Sequence, residues 1–146
     1  MNRRDFLKRI EAISAAGTVI GATAASGGCL GFHYASSSLI SGRLVIRRSD
    51  FGKSRFVMVD HPGFPLPLYV HELDDGSFVA VSTRCMHRGC QVEPADGKLI
   101  CPCHGSEYDT QGAVLKGPTR RPLERYPVTA DDQVVAIDLS RPAVDP

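Results

Sequence analysis

The chain lacks tryptophan, and aromatic residues make up only 7% of its 146 residues. It also lacks an excess of charge of either sign, because 17 Lys and Arg face 16 Asp and Glu, a formal net charge of +1. Without a strongly basic field, non-specific binding to nucleic acid is disfavoured, because such binding depends on neutralising many phosphates. The apolar fraction of 42% excludes a disordered chain.

Helical periodicity and internal repeats are also missing after residue 40, and the length fits a single domain. Short apolar or β-branched runs instead predict strands, and an Asp-Asp-Gly sequence at 74–76 predicts a hairpin turn. The fold class predicted from these signals is all-β. The predicted strands cover 44–46, 56–59, 68–70, 78–81 and 134–137, and 97–100 is predicted to be a turn that leads into a sixth strand.

Glycine and proline are plentiful, with 14 and 10 residues, and the chain has five cysteines. A loop-rich chain of this size builds a small core and often needs a metal site or a disulfide to hold it. Because five is an odd number, at least one cysteine must be explained apart from any pairing.

The N-terminus has the general form of an export signal, a charged start followed by an apolar stretch over Ala12–Phe32. The pair Arg3-Arg4 followed by Phe6-Leu7-Lys8 resembles the twin-arginine (Tat) signal, which a receptor reads. After export the stretch could remain as a membrane anchor, be cleaved near 22–24, or be lipidated at Cys29. Each outcome places the rest of the chain outside the cytoplasm, on the periplasmic side, where a disulfide persists.

The predicted organisation follows from these boundaries. Residues 1–32 form a signal or anchor helix, 33–42 a flexible linker, 43–139 the functional domain and 140–146 a tail.

Two short segments carry the chemistry, and each has one cysteine and one histidine at metal-ligand spacing. The first reads Cys-Met-His-Arg-Gly-Cys over 85–90, and the second reads Cys-Pro-Cys-His-Gly-Ser over 101–106. Thiolates and imidazoles suit a borderline or soft metal. A structural zinc site is one interpretation, but zinc leaves the second cysteine of each segment unexplained. The duplicated arrangement also suits a two-iron cluster, with two thiolates on one iron and two imidazoles on the other.

The pattern Cys-x-His-x-Gly-Cys followed by Cys-x-Cys-His-Gly-Ser closely resembles the Rieske iron–sulfur proteins. The resemblance runs from about Arg43 to Leu139. It implies an antiparallel β-sandwich with a small two-loop subdomain that binds one [2Fe-2S] cluster. It further implies that the metal ligands are Cys85, His87, Cys101 and His104, and that a Cys90–Cys103 disulfide braces the two loops.

The residues after the second segment are similar to those of high-potential Rieske proteins. In that resemblance Ser106 and Tyr108 donate hydrogen bonds to cluster sulfurs and raise the potential. Gly117 and Pro118 begin a stretch that resembles the loop shielding the cluster.

The resemblance implies electron transfer, and three classes of Rieske protein remain open. The favoured class is the iron–sulfur subunit of a quinol-oxidising cytochrome bc-type complex. Its partners would be cytochrome b and a c-type cytochrome, with quinol as a possible donor and a membrane contact through the N-terminus. In this class, reduction is coupled to proton uptake at the histidine ligands. The second is an exported carrier or small subunit of another oxidoreductase, of the arsenite-oxidase type. A ferredoxin or oxygenase component is disfavoured, because those usually lack the disulfide cysteines and are cytoplasmic. The domain alone is not expected to be an enzyme.

Two departures from the quinol-complex pattern favour the second class. Arg88 stands where a leucine usually follows the first ligand histidine, and Thr119-Arg120 follow Pro118 where Ala-Pro is usual. Together Arg88, Arg120 and Arg121 predict a cationic docking face that suits an acidic partner.

Overall fold

The computed structural model describes residues 31–140, and the regular secondary structure of this part of the chain consists almost entirely of antiparallel strands joined by loops. One short 3₁₀ turn, Arg48–Phe51, is the exception within these residues. The strands are β1 Ser38–Ile40, β2 Arg43–Arg47, β3 Phe56–Val59, β4 Leu68–Glu72, β5 Phe78–Ser82, β6 Glu93–Ala95, β7 Lys98–Ile100, β8 Glu107–Tyr108, β9 Val114–Lys116, β10 Arg125–Tyr126, β11 Val128–Ala130 and β12 Val134–Asp138. The all-β prediction is confirmed.

The strands form three four-stranded sheets. The outer sheet has the order β1-β2-β12-β11, the central sheet β10-β5-β4-β3, and the loop-bearing sheet β6-β7-β8-β9. Every pairing within the three sheets is antiparallel.

The central sheet is buried on both faces, which explains why its strands are nearly continuous apolar runs. Val57 and Val59 of β3 pack in one core with Leu44 and Ile137 of the outer sheet. Met58, which points to the opposite face, packs in a second core that reaches into the loop-bearing sheet. The second core includes Val92, Leu99, Cys85, Cys101 and Tyr108. One face of the central sheet therefore packs against the two cysteine segments.

All six predicted strands are present, and so is the turn at 74–76. The strands that the sequence did not predict are β1, β6, β8, β9, β10 and β11, which have two or three residues each and contain polar, glycine-flanked or proline-bearing sequence. Such runs carry no period-2 signal long enough to recognise.

The predicted linker at 33–42 differs from the structure. Residues Ser38–Ile40 pair with β2, and the amides of Ala35 and Met58 donate to the carbonyls of Met58 and His33, at 2.9 and 2.8 Å. The Ser-rich composition suggested flexibility, but these backbone groups are used in sheet pairing.

The export signal, Cys29 and the last six residues lie outside the described residues. Residues 31–140 contain no helix with the length and apolar character that crossing a bilayer requires.

Gly112 lies where the hairpin of β8 and β9 meets the central sheet. It has a φ of +88°, and a Cβ atom there would lie 3.1 Å from Leu123 Cβ and 3.2 Å from Val81 Cγ1. Gly76 has a similar φ of +81° with nothing within 4 Å of its Cβ position. We expect Gly76→Ala to cost about 1 kcal/mol of unfolding free energy, the backbone term alone. Gly112→Ala adds an overlap in a packed core and should cost at least ~2 kcal/mol.

Chemical denaturation of both variants measures this difference. Equal losses in the two variants would contradict the tight contact at Gly112.

Candidate metal centre

The two cysteine segments form loops with the same backbone closure. In the first loop, residues 84–91 between β5 and β6, Cys85 N donates to Cys90 O and Gly89 N to Cys85 O, both at 2.8 Å. In the second loop, residues 101–106 between β7 and β8, Cys101 N donates to Ser106 O at 2.8 Å and Gly105 N to Cys101 O at 2.9 Å. The parallel pattern in the sequence thus corresponds to two similar turns.

A disulfide joins the loops, between Cys90 and Cys103. The pairing implied by the family resemblance is confirmed. The sulfur of Cys101 lies within 4.8 Å of both disulfide sulfurs. Because Cys90 and Cys103 are bonded to each other, only Cys101 of these three is available as a thiolate ligand.

The two remaining cysteines of the loops are more deeply buried than the two histidines. Cys85 and Cys101 are free thiols, exposed by only 2% and 1%. The rings of His87 and His104 lie farther out, with centroids 4.8 Å apart and planes at 89°. The structure therefore brings together all four side chains that the sequence singled out, with sulfur inside and imidazole outside.

The donor set fits a two-iron cluster. Within residues 31–140, the Nδ1 atom of His87 is buried and has no hydrogen-bond partner. A buried, unsatisfied ring nitrogen is costly unless it binds something, and a metal satisfies it. Two buried thiols and two imidazoles match the ligand types of a Rieske centre.

A hydrogen-bond network surrounds the Cys85 sulfur. The hydroxyl of Tyr108 lies 3.3 Å from Cys85 Sγ, and the amide of Met86 donates to the same hydroxyl oxygen at 3.2 Å. Because the amide occupies an acceptor position of the phenol oxygen, the phenol proton is directed to the sulfur. Burial raises the pKa of Cys85, but hydrogen bonds led by that of Tyr108 outweigh it, so the pKa lies below its usual range.

Tyr108 and Ser106 each have a hydroxyl proton that can be donated within the site. Burial, followed by the hydrogen bond to Cys85, raises the pKa of Tyr108 to about 12, so the phenol remains a donor at neutral pH. Ser106 is fully buried, and its Oγ accepts a hydrogen bond from Thr119 N at 3.2 Å. Its own hydroxyl proton is therefore available to an acceptor in the site.

The segment from Gly117 to Leu123 packs against both loops. Thr119, 5% exposed, reaches the second loop through Ser106, and Arg121 Nη2 donates to the carbonyl of Met86 in the first loop at 3.4 Å. Gly117 and Pro118 are exposed at the start of the segment. From the sequence, Thr119 was recognised only as a departure from the family pattern, and no role was predicted for Met86. Both act through backbone groups, which leave no signal in residue type.

Comparisons with known proteins agree on one family. The profile of the Rieske [2Fe-2S] domain matches residues 43–127, more than half of the chain. The cytochrome b6-f complex iron-sulfur subunit 2 of Nostoc sp. is 39% identical over 75 residues, which is 49% of this chain and 42% of that protein. The cytochrome b6-f complex iron-sulfur subunit of Chlorobaculum tepidum is 37% identical over 67 residues, covering 44% of this chain and 37% of that protein.

Among solved structures, the cyanobacterial plasma membrane Rieske protein PetC3 from Synechocystis PCC 6803 aligns with a TM-score of 0.55 and 32% identity, over 62% of this chain and 93% of that chain. The match to the curated relatives thus spans about two fifths of their length, while the match to PetC3 spans nearly all of it. The chain belongs to the Rieske [2Fe-2S] domain family, and its cofactor is a [2Fe-2S] cluster.

Proposed function

We propose that the chain transfers electrons as the iron–sulfur subunit of a quinol-oxidising cytochrome bc-type complex. In this proposal Cys85 and Cys101 hold the inner iron, and His87 and His104 hold the outer one. The observation that carries it is the combination of two buried thiols with two imidazoles whose ring centroids lie 4.8 Å apart, on loops joined by a disulfide. When bound, the cluster takes up and releases one electron at a time.

The protein residues position and tune this centre. The Tyr108 and Ser106 hydroxyls stabilise added negative charge, which favours the upper part of the Rieske potential range. His104 is exposed, so its ring offers a short path for electrons to a docked partner. We propose that proton uptake at the histidine ligands accompanies reduction of the centre.

The named relatives support this setting. Two of them are subunits of cytochrome b6-f complexes, and PetC3 is a plasma membrane protein. By analogy we propose a cytochrome b and a c-type cytochrome as partners, and a location on the outer face of a membrane. The twin-arginine-like start at Arg3-Arg4 supports export by that route.

A second candidate is an exported carrier or small subunit of another oxidoreductase. The residue that favours this candidate is Arg88, which directly follows His87 and is exposed. At the same position, quinol-complex proteins have an apolar side chain that docks into the quinol pocket.

A redox titration followed by electron paramagnetic resonance tests the proposal on the full-length protein. We expect ascorbate alone to produce a reduced Rieske signal, and the midpoint potential to fall as pH rises from neutral to alkaline. Cys101→Ser, which removes one proposed ligand, should abolish the signal. Metal analysis that finds zinc without iron would refute the cluster. A centre that only a much stronger reductant reduces, with no pH dependence, would favour the carrier.

A further inference from the structure

Four arginines lie on the first cysteine loop and on the segment that packs against it, and neither segment contains an acidic residue. The first loop carries Arg84 and Arg88, and the segment from Gly117 to Leu123, which we call the packing segment, carries Arg120 and Arg121. The ranges 84–91, 101–106 and 117–122 contain neither Asp nor Glu. Since the whole chain has a net charge of only +1, this end of the domain is a local concentration of positive charge.

Contacts place two of these side chains, those of Arg121 and Arg84, against the first loop. Arg121 donates to the carbonyl of Met86, next to His87. The Nε of Arg84 lies 3.3 Å from the position of a Cβ at Gly89, so its guanidinium lies over the first loop.

The other two arginines are placed by their position in the chain. Arg88 follows His87 directly, and Arg120 follows Thr119, whose amide contacts the second loop. All four arginines are exposed. We call the exposed side chains of Arg84, Arg88, Arg120 and Arg121 the arginine rim.

The positive charge of the rim is not neutralised locally. Among residues 31–140, none of the ion pairs involves a rim arginine. By contrast, Arg47, Arg48 and Arg55 each pair with a carboxylate, at 3.0, 3.0 and 2.7 Å. An oxidised cluster held by two thiolates and two neutral imidazoles has no net charge, so it would not cancel the rim either.

We infer that the arginine rim docks the acidic face of a redox partner protein, with His104 at the centre of the contact. This inference rests on the proposed electron-transfer function and names the kind of partner. Complementary charge around a small contact accelerates encounter and orients the two redox centres, while the short-lived complexes of electron transfer need little buried area. Pro102 on the second loop and Pro118 beside Thr119 are also exposed and add uncharged surface.

Binding measurements on the cluster-loaded, full-length protein test the inference. The probes are two c-type cytochromes of similar size, one acidic and one basic, with both proteins oxidised so that no electron passes. We expect the acidic cytochrome to bind at low ionic strength and to dissociate as salt approaches the physiological range. Arg88→Gln/Arg120→Gln should weaken binding roughly tenfold at low ionic strength, with the difference vanishing at high salt.

Arg43→Gln/Lys53→Gln is the matched control, because it also removes two positive charges from exposed positions, one on β2 of the outer sheet and one in the turn before β3. It should bind like the native protein. Arg121 is left intact, since it also holds the packing segment to the first loop.

Equal binding of the acidic and basic cytochromes, or equal losses in the control and the double variant, would overturn the inference. Binding to vesicles containing phosphatidylglycerol but to neither cytochrome would assign the rim to a lipid surface instead. If the oxidised protein binds the acidic cytochrome but, once reduced, does not reduce it, the proposed function fails and the docking surface stands.

Discussion

Tyr108→Phe is expected to lower the midpoint potential of the cluster on the order of 50 mV while the cluster remains bound. Reduction adds negative charge to the centre, so a proton donor to a ligand sulfur stabilises the reduced state more than the oxidised one. A hydrogen bond to a charged acceptor is worth roughly 1.5–3 kcal/mol, of which only the difference between the two redox states appears in the potential. A difference of ~1.4 kcal/mol corresponds to about 59 mV for one electron.

The structure supplies a matched control in the same core. Tyr69 is also buried in this core, but its hydroxyl is hydrogen-bonded to His71 Nδ1 at 3.1 Å. Tyr69→Phe removes the same atom from the same packing environment and should leave the potential unchanged. The comparison separates the hydrogen bond to Cys85 from any general effect of losing a buried hydroxyl.

Ser106→Ala extends the prediction to the second donor. The hydroxyl oxygen of Ser106 accepts from Thr119 N, and that of Ser82, also buried, accepts from Arg84 N at 3.2 Å. Ser106→Ala should lower the potential, whereas Ser82→Ala should not. Protein-film voltammetry on the four variants measures the shifts. Unchanged potentials in both Tyr108→Phe and Ser106→Ala would show that these hydroxyls do not tune the cluster.

The sequence revealed the centre more completely than the fold around it. Cysteine and histidine spacing carries its own chemical meaning, so the loops and the Cys90–Cys103 pairing followed from residue type and family resemblance. The long apolar strands were equally visible, because a sheet buried on both faces selects nearly continuous apolar runs.

What the sequence could not show depends on backbone groups and on residues distant in the chain. The contact of Thr119 with Ser106 joins two segments through an amide, which every residue type possesses. The pairing of β1 is likewise a backbone interaction, in which Leu39 and Ile40 remain more than half exposed. Composition therefore favoured a linker where the structure has a strand.

The disulfide is expected to hold the two loops together when the cluster is challenged. Removing it by Cys90→Ala/Cys103→Ala releases a constraint across a sequence separation of 13 residues. A loop of about this length corresponds to about 3 kcal/mol in the chain-entropy relation. We expect the cluster absorbance of the double variant to disappear at a clearly lower denaturant concentration than in the native protein. An unchanged midpoint would mean that metal ligation alone keeps the loops in place.

In the same variant, we expect the two loops to unfold before the core between the outer and central sheets does. The core between the outer and central sheets contains no residue of either loop, and its members include Leu44, Ile46, Val135 and Ile137, each 0–1% exposed. The second core, by contrast, is built partly from Cys85 and is opened when the loops separate. Local unfolding should therefore be confined to the loop-bearing sheet, because contacts within a core are lost together.

Hydrogen exchange monitored after cluster loss should show protected amides in β2 and β12 and fast exchange in both loops. Simultaneous loss of protection in all three sheets would show instead that the domain unfolds as one unit.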